Sequence, residues 1–152
     1  MDGSAQPASP GEVRYARVGT ADGQTVVQIR NEFSGWLRAR LSVSEERRSD
    51  IVLAVNEALS NSAEFAYVGK PEAGTMSLDA HHDNATDTLT VRIVDNGAWY
   101  DGVPPPRHNT RGRGIPLMRA LSDEATIDRL PEGTRVLMRF DGVSVPDALS
   151  GA

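Results

Sequence analysis

Hydrophobic residues recur along the chain with two different spacings, and the first of these predicts helices. A spacing of three to four residues over about residues 23–41 predicts a first helix, with an apolar stripe of Val26, Ile29, Phe33, Trp36, Leu37 and Leu41. A second stripe repeats in steps of four, so we expect a longer helix that begins after Ser44 and buries Ile51, Val55, Leu59 and Ala63. Ser44 and the acidic residues that follow it are typical of a helix N-terminus.

The second spacing is the alternation of apolar and polar residues that predicts strands. A first strand, VRYARVG, precedes helix one, and a hairpin of TMSLDAHH and DTLTVRIVD turns at DNAT. A short helix from Gly114 is followed by a second hairpin, EATIDRL and TRVLMRF, which turns at PEG. Because the helices are too few for strict strand and helix alternation, we predict an α+β fold. It is a two-layer α/β sandwich with the helices on one face of a mainly antiparallel mixed sheet.

Length and composition predict one domain with loose ends. The 152 residues are enough for one core and too few for two ordinary domains. Pro, Gly, Ser and Ala are frequent in residues 1–12 and 141–152, which predicts two flexible tails around a domain at 13–140. The stretch from Asn96 to Gly114 contains four glycines and three consecutive prolines. We expect a long irregular loop there, and such a loop inside a compact domain is usually functional.

The net charge and the missing residue types exclude several classes of protein. The net charge of −5 argues against a general binder of nucleic acids or of anionic membranes, since both are polyanions. The absence of Cys excludes disulfides, thiolate nucleophiles and Cys-based metal sites. The N-terminal segment has neither the positive start nor the apolar core of a signal peptide, and no segment approaches membrane-spanning length. We therefore expect a cytoplasmic protein.

The second helix carries a carboxylate and a carboxamide one turn apart, Glu57 and Asn61. Side chains at positions i and i+4 share a helix face, with Cβ atoms about 5–6 Å apart, a span that a hydrated Mg²⁺ or a water can bridge. Asn offers a neutral oxygen to a hard cation, and Glu can take a proton or orient water. On spacing alone, the plainer explanation of the pair is two solvated residues on a helix surface.

Two strand ends carry polar groups, and the first of them suits recognition of a flat ring. Asp95 ends the strand LTVRIVD, where its carboxylate can accept a hydrogen bond from an exocyclic amine, and Gly97 leaves room for a ring to approach the backbone. The alternative is a simple Asx turn with its usual glycine. Gly133 and Thr134 open the last strand, and taken alone the Thr hydroxyl is explained by a local hydrogen bond.

A glycine-containing stretch, RGRGIPLM, leads into the short helix. Gly112 and Gly114 precede helix N–H groups that are unpaired and carry the positive end of the helix dipole, which suits a phosphate group. Arg111 and Arg113 add positive charge, and Pro116 fits the first helical turn. The stretch lacks the Gly-Lys-Ser/Thr of a P-loop and follows a loop, so neither a P-loop nor a Rossmann fingerprint is indicated. A structural helix start is the alternative.

Together these four stretches resemble the boxes of the GHKL (Bergerat-fold) ATPases, and above all the anti-sigma-factor serine kinases, over roughly residues 13–140. The order and separation of four motifs are much more specific than any single one. The matching residues are Glu57, Asn61, Phe65, Ala66 and Tyr67 in the helix motif, Asp95, Gly97 and Trp99 in the Asp-x-Gly-x-Gly box, Gly112 and Gly114 in the Gly-x-Gly helix start, and Gly133 and Thr134 in the final Gly-Thr.

The resemblance implies that the cofactors are ATP and Mg²⁺ and assigns a role to each motif. Asn61 would hold Mg²⁺, and Glu57 would act as the base or orient the attacking group. Asp95 would read the adenine amino group, helped by Thr134, while Gly97 lets the ring approach.

The glycines of the third motif would act on the phosphates. The resemblance implies that Gly112 and Gly114 bring backbone N–H groups to them. Arg111 and Arg113 join the site on charge grounds alone.

The family also implies an activity and partners. We expect a serine/threonine protein kinase that phosphorylates an anti-anti-sigma factor and sequesters an RNA polymerase sigma factor, with a homodimer as the family's assembly. Two residues depart from the family pattern, since Phe65 replaces a His and Trp99 replaces a Gly. They leave open a module that only sequesters its partner. The catalytic half of a histidine-kinase system is a third alternative, although no phospho-acceptor helix pair precedes the domain.

Overall fold

The computed structural model describes residues 12–65, 74–96, 114–130 and 133–146. The elements are, in chain order, β1 (Glu12–Thr20), α1 (Gly23–Arg40), α2 (Glu45–Phe65), β2 (Thr75–Asp83), β3 (Thr88–Asp95), α3 (Gly114–Leu121), β4 (Glu124–Leu130) and β5 (Gly133–Asp141). This order confirms the predicted succession of one strand, two helices, a hairpin, a short helix and a second hairpin. Most of the predicted loop between Asn96 and Gly114 lies outside the described residues.

Side-chain caps determine where the two long helices begin. The Ser44 hydroxyl accepts a hydrogen bond from the Arg47 backbone N–H at 3.0 Å, which confirms the predicted start of α2. The Asp22 carboxylate does the same for α1, accepting from the Thr25 N–H at 2.7 Å. The observed bounds of α1 agree with the predicted range of about 23–41, whereas its cap, Asp22, was not predicted.

The five described strands form one sheet in the order β1-β2-β3-β5-β4, and each neighbouring pair is antiparallel. Two of these pairings are the predicted hairpins, β2 with β3 and β4 with β5. The pairing of β3 with β5 joins the hairpins and places β5 inside the sheet. The last residue of β3 and the second residue of β5 thereby become direct neighbours.

One face of the sheet is apolar and carries the helices. Its buried residues alternate along β2, β3 and β5, and include Met76, Leu78, Leu89, Val91, Ile93, Val136, Met138 and Phe140. The stripes predicted for α1 and α2 are buried against this face, with Phe33, Leu37, Ile51 and Leu59 each fully covered. These layers confirm the predicted α+β sandwich with helices on one face.

Each helix packs over a different part of the sheet. Helix α1 packs over β1, α2 over the central strands, and α3 over β4 and against α2. None of the described helices is both long and apolar enough to cross a bilayer. The neighbouring positions His81 and His82 point to opposite faces of β2, and His82 is fully buried on the helix side.

An aromatic and ionic cluster fixes α1 to the edge strand β1. Tyr15 lies 6.2 Å from Phe33 and 5.9 Å from Trp36, measured between ring centroids. The Tyr15 hydroxyl donates to Glu32 at 2.9 Å, and Arg17 forms an ion pair with the same carboxylate at 2.6 Å. Burial, together with the bond to Glu32, raises the pKa of Tyr15 to about 12. The hydrogen bond from Tyr15, and then that from Arg17, lowers the pKa of Glu32.

The residues after β5 return to the domain. Val143 is fully buried, its N–H donates to the Asp87 carbonyl at 2.9 Å, and its own carbonyl contacts the His82 ring. Ser144 pairs with Ser42 in an isolated bridge. Residues 142–146 therefore differ from the flexible tail predicted from residue 141, because an apolar side chain within them completes the core. The remainder of that predicted tail lies outside the described residues.

Candidate functional site

A small cavity lies between α2, α3 and the adjoining ends of β3, β5 and β4. The residues that line it are Asn61, Ser62, Asp95, Ile115, Met118, Ile127, Arg129, Thr134 and Val136. Three of the predicted site residues, Asn61, Asp95 and Thr134, are thus brought together although they are far apart in sequence.

The sheet side of the cavity is a row of residues that follows from strand register. Asp95 on β3 stands opposite Thr134 on β5, and Thr134 stands opposite Arg129 on β4. Asp95 is only 4% exposed, and its Oδ1 accepts a hydrogen bond from the Thr134 backbone N–H at 3.2 Å. A carboxylate taken this far out of water requires hydrogen-bond donors. The observed bond to Asp95 crosses between strands, whereas an Asx turn would be local.

Gly133 allows β5 to approach this carboxylate. Its φ angle is 156°, and a Cβ atom built there would lie 1.8 Å from the Asp95 carbonyl oxygen. No side chain fits in that space, so the Gly-Thr pair combines close backbone approach with a hydroxyl in the cavity. Gly133 therefore allows β5 to lie close to the end of β3.

The Thr134 hydroxyl is a polar group that suits a bound ligand. Thr134 is 9% exposed, and its Oγ1 is buried with no hydrogen-bond partner in the described structure. Leaving a buried hydroxyl unsatisfied costs about 1–3 kcal/mol, so such groups usually mark an internal water or a ligand position. The hydroxyl and the Asp95 carboxylate fit the edge of a base that carries an amino group, since that edge offers both hydrogen-bond donors and acceptors.

Helix α2 forms the opposite wall. Asn61 is half-buried and lines the cavity, and its successor Ser62 is 2% exposed and lines it as well. Glu57 is half-buried one turn earlier on the same helix and does not reach the cavity lining. The arrangement places an amide oxygen at the cavity wall, where a hard cation bound to a ligand's phosphates can use it.

Helix α3 begins at Gly114, as predicted, and Pro116 lies in its first turn. The next residues toward its C-terminus, Ile115 and Met118, close the cavity with apolar side chains. The other residues predicted for the phosphate and ring side, Gly97, Arg111, Gly112 and Arg113, lie outside the described residues, and so does Trp99.

Several lining residues were not found by sequence reasoning. Ser62 is next to Asn61 and carries a hydroxyl, which was a usable signal. Three others are strand residues whose neighbours along the strand point to the opposite face of the sheet: Ile127 and Arg129 on β4, and Val136 on β5. Their place in the cavity depends on the pairing of β3 with β5, which sequence alternation alone does not specify.

Two larger depressions, of about 1020 and 590 Å³, lie in the groove between α1 and α2. Both include Arg30 and Asn56, which are hydrogen-bonded to each other at 3.4 Å. None of the residues from the four sequence motifs lines them. The smaller cavity is the better candidate, because buried polar side chains converge on it.

Comparison with known proteins identifies the family of the chain. Residues 19–140 match the histidine kinase-like ATPase domain family. The serine-protein kinase RsbW of Listeria innocua is 29% identical over 115 residues, which are 67% of this chain and 71% of that protein. An anti-sigma F factor of Clostridium botulinum is 29% identical over 111 residues, which are 66% of this chain and 76% of that protein.

A solved structure shows the same fold. The crystal structure of the RsbU and RsbW domains of a Mycobacterium tuberculosis protein matches with a TM-score of 0.67 at 19% identity, and the match covers 88% of this chain. Our chain spans about a third of that protein's length, since the match covers 32% of it. The sequence match extends over most of the chain, and the solved structure shares its architecture. The chain therefore belongs to the histidine kinase-like ATPase domain family.

Proposed function

We propose that this protein binds ATP with Mg²⁺ and is a serine/threonine protein kinase of the anti-sigma type. Its substrate is a Ser or Thr hydroxyl on an anti-anti-sigma factor, and it sequesters a sigma factor when that antagonist is absent or phosphorylated. The names of the two curated relatives, a serine-protein kinase and an anti-sigma F factor, support this activity at 29% identity. The observation that carries it is the cavity on which Asn61, Asp95 and Thr134 converge.

The sheet side of the cavity is assigned to the base. The Asp95 carboxylate accepts hydrogen bonds only, so it favours a purine with an exocyclic amino group over one with an oxo group at that position. The bond from the Thr134 N–H holds this carboxylate in place. Ile115, Met118 and Val136 supply apolar surface for the faces of the ring.

The α2 wall is assigned to the metal and the reacting groups. Bound Mg²⁺ would neutralise charge on the phosphates, and Asn61 is the described cavity residue with the neutral oxygen that such an ion accepts. Mg²⁺ usually keeps several waters and takes one or two protein ligands, so a single Asn is sufficient. Glu57, one turn away, would orient the attacking hydroxyl and accept its proton. Phosphoryl transfer depends mainly on such positioning and charge neutralisation.

The first test is titration calorimetry of ATP and Mg²⁺ against wild type and Asp95→Asn. The amide keeps an acceptor for the Thr134 N–H but loses the charge, so we expect ATP affinity to fall roughly tenfold to hundredfold with the fold retained. Glu32→Gln is the matched control, because it neutralises an exposed carboxylate on α1 that does not line the cavity. Absence of ATP binding by the wild type would overturn the kinase proposal.

The metal assignment is tested by the same titration with and without Mg²⁺. Asn61→Ala is expected to remove most of the affinity that Mg²⁺ adds and to leave the metal-free affinity unchanged. Asn56→Ala is the control, since that amide lies on the same helix and bonds to Arg30. Equal Mg²⁺ dependence in wild type and Asn61→Ala contradicts the metal role.

Catalysis and partner sequestration are separated by phosphotransfer from labelled ATP to candidate anti-anti-sigma factors. Glu57→Gln should lower kcat while preserving ATP affinity. Glu64→Gln is the control and should leave kcat unchanged, because Glu64 is on the same helix but faces the groove between α1 and α2. A wild type that binds ATP and a sigma factor but transfers no phosphate supports the sequestering module instead.

We also propose that the chain forms the homodimer that the family resemblance implies. Measurement of its molecular mass in solution tests this assembly.

A further inference from the structure

Most of the buried polar side chains in the described structure converge on one cavity. The five that are buried are Thr25, Ser62, His82, Asp95 and Thr134. His82 contacts the Val143 carbonyl, and Thr25 belongs to the capped first turn of α1. The remaining three, Ser62, Asp95 and Thr134, all line the cavity between α2, α3 and the sheet.

Ser62 is the polar residue in an otherwise apolar row on the inner side of α2. Ala54, Val55, Ala58 and Leu59 precede it on that side, and each is fully buried. One residue along a helix is a rotation of about 100°, which separates the half-buried Asn61 from the 2%-exposed Ser62. The helix thus presents two different polar groups to the same cavity, and the motif comparison assigned only Asn61.

We propose that the Ser62 hydroxyl is a further nucleotide-binding group that donates to the ring nitrogen beside the exocyclic amine of the bound base, directly or through one water. This inference rests on the proposed function, since it names a further contact of the same nucleotide. The edge of an aminopurine has a donor next to an acceptor. Asp95, when ionised, satisfies only the donor, so the ring nitrogen requires a donor from elsewhere in the cavity.

Two hydroxyls of the cavity can donate to this nitrogen, that of Thr134 on the sheet and that of Ser62 on α2. The Thr134 N–H already donates to Asp95, and Thr134 follows Asp95 in the same cross-strand row. Ser62 lies on the other wall, on α2, so the two hydrogen bonds of the base edge would join helix to sheet. The hydroxyl can rotate to donate or accept, so Asp95 supplies the selection against oxo purines and Ser62 adds affinity that depends on the ring nitrogen.

The test uses full-length wild type and Ser62→Ala with two nucleotides, ATP and its 1-deaza analogue, in which a C–H group replaces that ring nitrogen. Ser62→Ala should weaken ATP binding about fivefold to tenfold, as expected for loss of one neutral hydrogen bond. The two proteins should bind the 1-deaza analogue with equal affinity. Ser60→Ala is the matched control, because Ser60 is half-buried on the same helix and lines the groove toward α1.

Each other outcome overturns the inference. If Ser62→Ala binds ATP as the wild type does, the hydroxyl serves its own helix, as Ser122 does by donating to the Met118 carbonyl at 2.6 Å. If the variant loses affinity equally for both nucleotides, Ser62 only shapes the cavity. If the wild type binds neither nucleotide, the proposed function itself is wrong. The first two outcomes, by contrast, overturn only the role of Ser62. Urea unfolding of Ser62→Ala should match the wild type, since Ala is a better helix former than Ser.

Discussion

Two carboxylates, one on α1 beside the edge strand β1 and one between interior strands, differ in almost every physical respect. Glu32, against the edge strand β1, is exposed and paired with Arg17 and Tyr15. Asp95, between the interior strands β3 and β5, is buried and accepts a backbone N–H from Thr134. Both are anionic groups near aromatic or apolar surface, yet only Asp95 faces a cavity.

The difference separates an attachment point of α1 from a candidate binding site. Exposed ion pairs such as that of Glu32 are screened by water and contribute little to stability, so this pair mainly orients α1 on β1. A buried carboxylate is costly, and the chain tolerates Asp95 through the close approach that Gly133 permits. A buried carboxylate that lines a cavity is in a position to select a ligand.

The largest effect is expected from Gly133→Ala. The added Cβ would collide with the Asp95 backbone, so β3 and β5 must separate at the site. We expect the free energy of unfolding to fall by at least about 3 kcal/mol, measured by urea denaturation.

Gly142→Ala is the control for this substitution. Gly142 also has a positive φ, of 70°, but a Cβ there meets nothing within 4 Å. It should lower stability by only about 1 kcal/mol through backbone strain. Equal losses in the two variants would show that the contact with Asp95 is not what makes Gly133 necessary.

A smaller effect of opposite sign is expected from Thr134→Val. The substitution removes a buried hydroxyl that has no partner and keeps the branched shape. The free energy of unfolding without nucleotide should stay constant or rise by up to about 1 kcal/mol, whereas ATP affinity should fall about fivefold.

The exposed Thr126→Val on β4 is the control, and we expect neither quantity to change. Calorimetry and denaturation of the same samples separate the two effects. A Thr134→Val protein that is destabilised and binds ATP normally would place the hydroxyl in the fold and not in the site.

The smallest effects concern the ionic cluster on β1 and depend on pH. Because the folded pKa of Glu32 lies below its usual value of 4.5, its contribution to stability is present above that pH and is lost as pH falls through the lowered pKa. Wild type should therefore be slightly more stable than Glu32→Gln at neutral pH, and the two should converge in acid. Unfolding free energies across an acid series measure this convergence.

The raised pKa of Tyr15 gives the matching test in alkali. Neutral Tyr15 stabilises the fold fully below its usual pKa of 10.0, and this contribution is lost as pH rises toward about 12. The ultraviolet titration of wild type minus that of Tyr15→Phe should show one tyrosine that ionises late. A difference curve centred near the ordinary tyrosine value would contradict the burial of this hydroxyl.

The layers of the fold were predictable because hydrophobic spacing records burial directly. The buried residues Leu59 and Ala63 on α2, and the alternation along β3, were all visible in the sequence. The neighbours within the sheet were not, since the pairing of β3 with β5 joins Asp95 to a residue 39 positions away. Local periodicity contains no information on such contacts.

The site was predictable where residue type and motif spacing carry the signal. Asn61, Asp95 and Thr134 were identified in this way and line one cavity. Ser62 and Arg129 were missed, because a serine inside a helix and an arginine on a strand have common structural explanations. Their place in the cavity follows only from the packing of α2 against the sheet.

The buried side chain after β5 also limits how this protein can be engineered. Composition alone invites removal of everything beyond Asp141, yet Val143 fills the core beside His82 and Ser144 bridges to Ser42. Truncation at that point would leave a hole under the β2 and β3 hairpin. Affinity tags, fluorescent reporters or fused domains should therefore be attached so that residues 142–146 are retained.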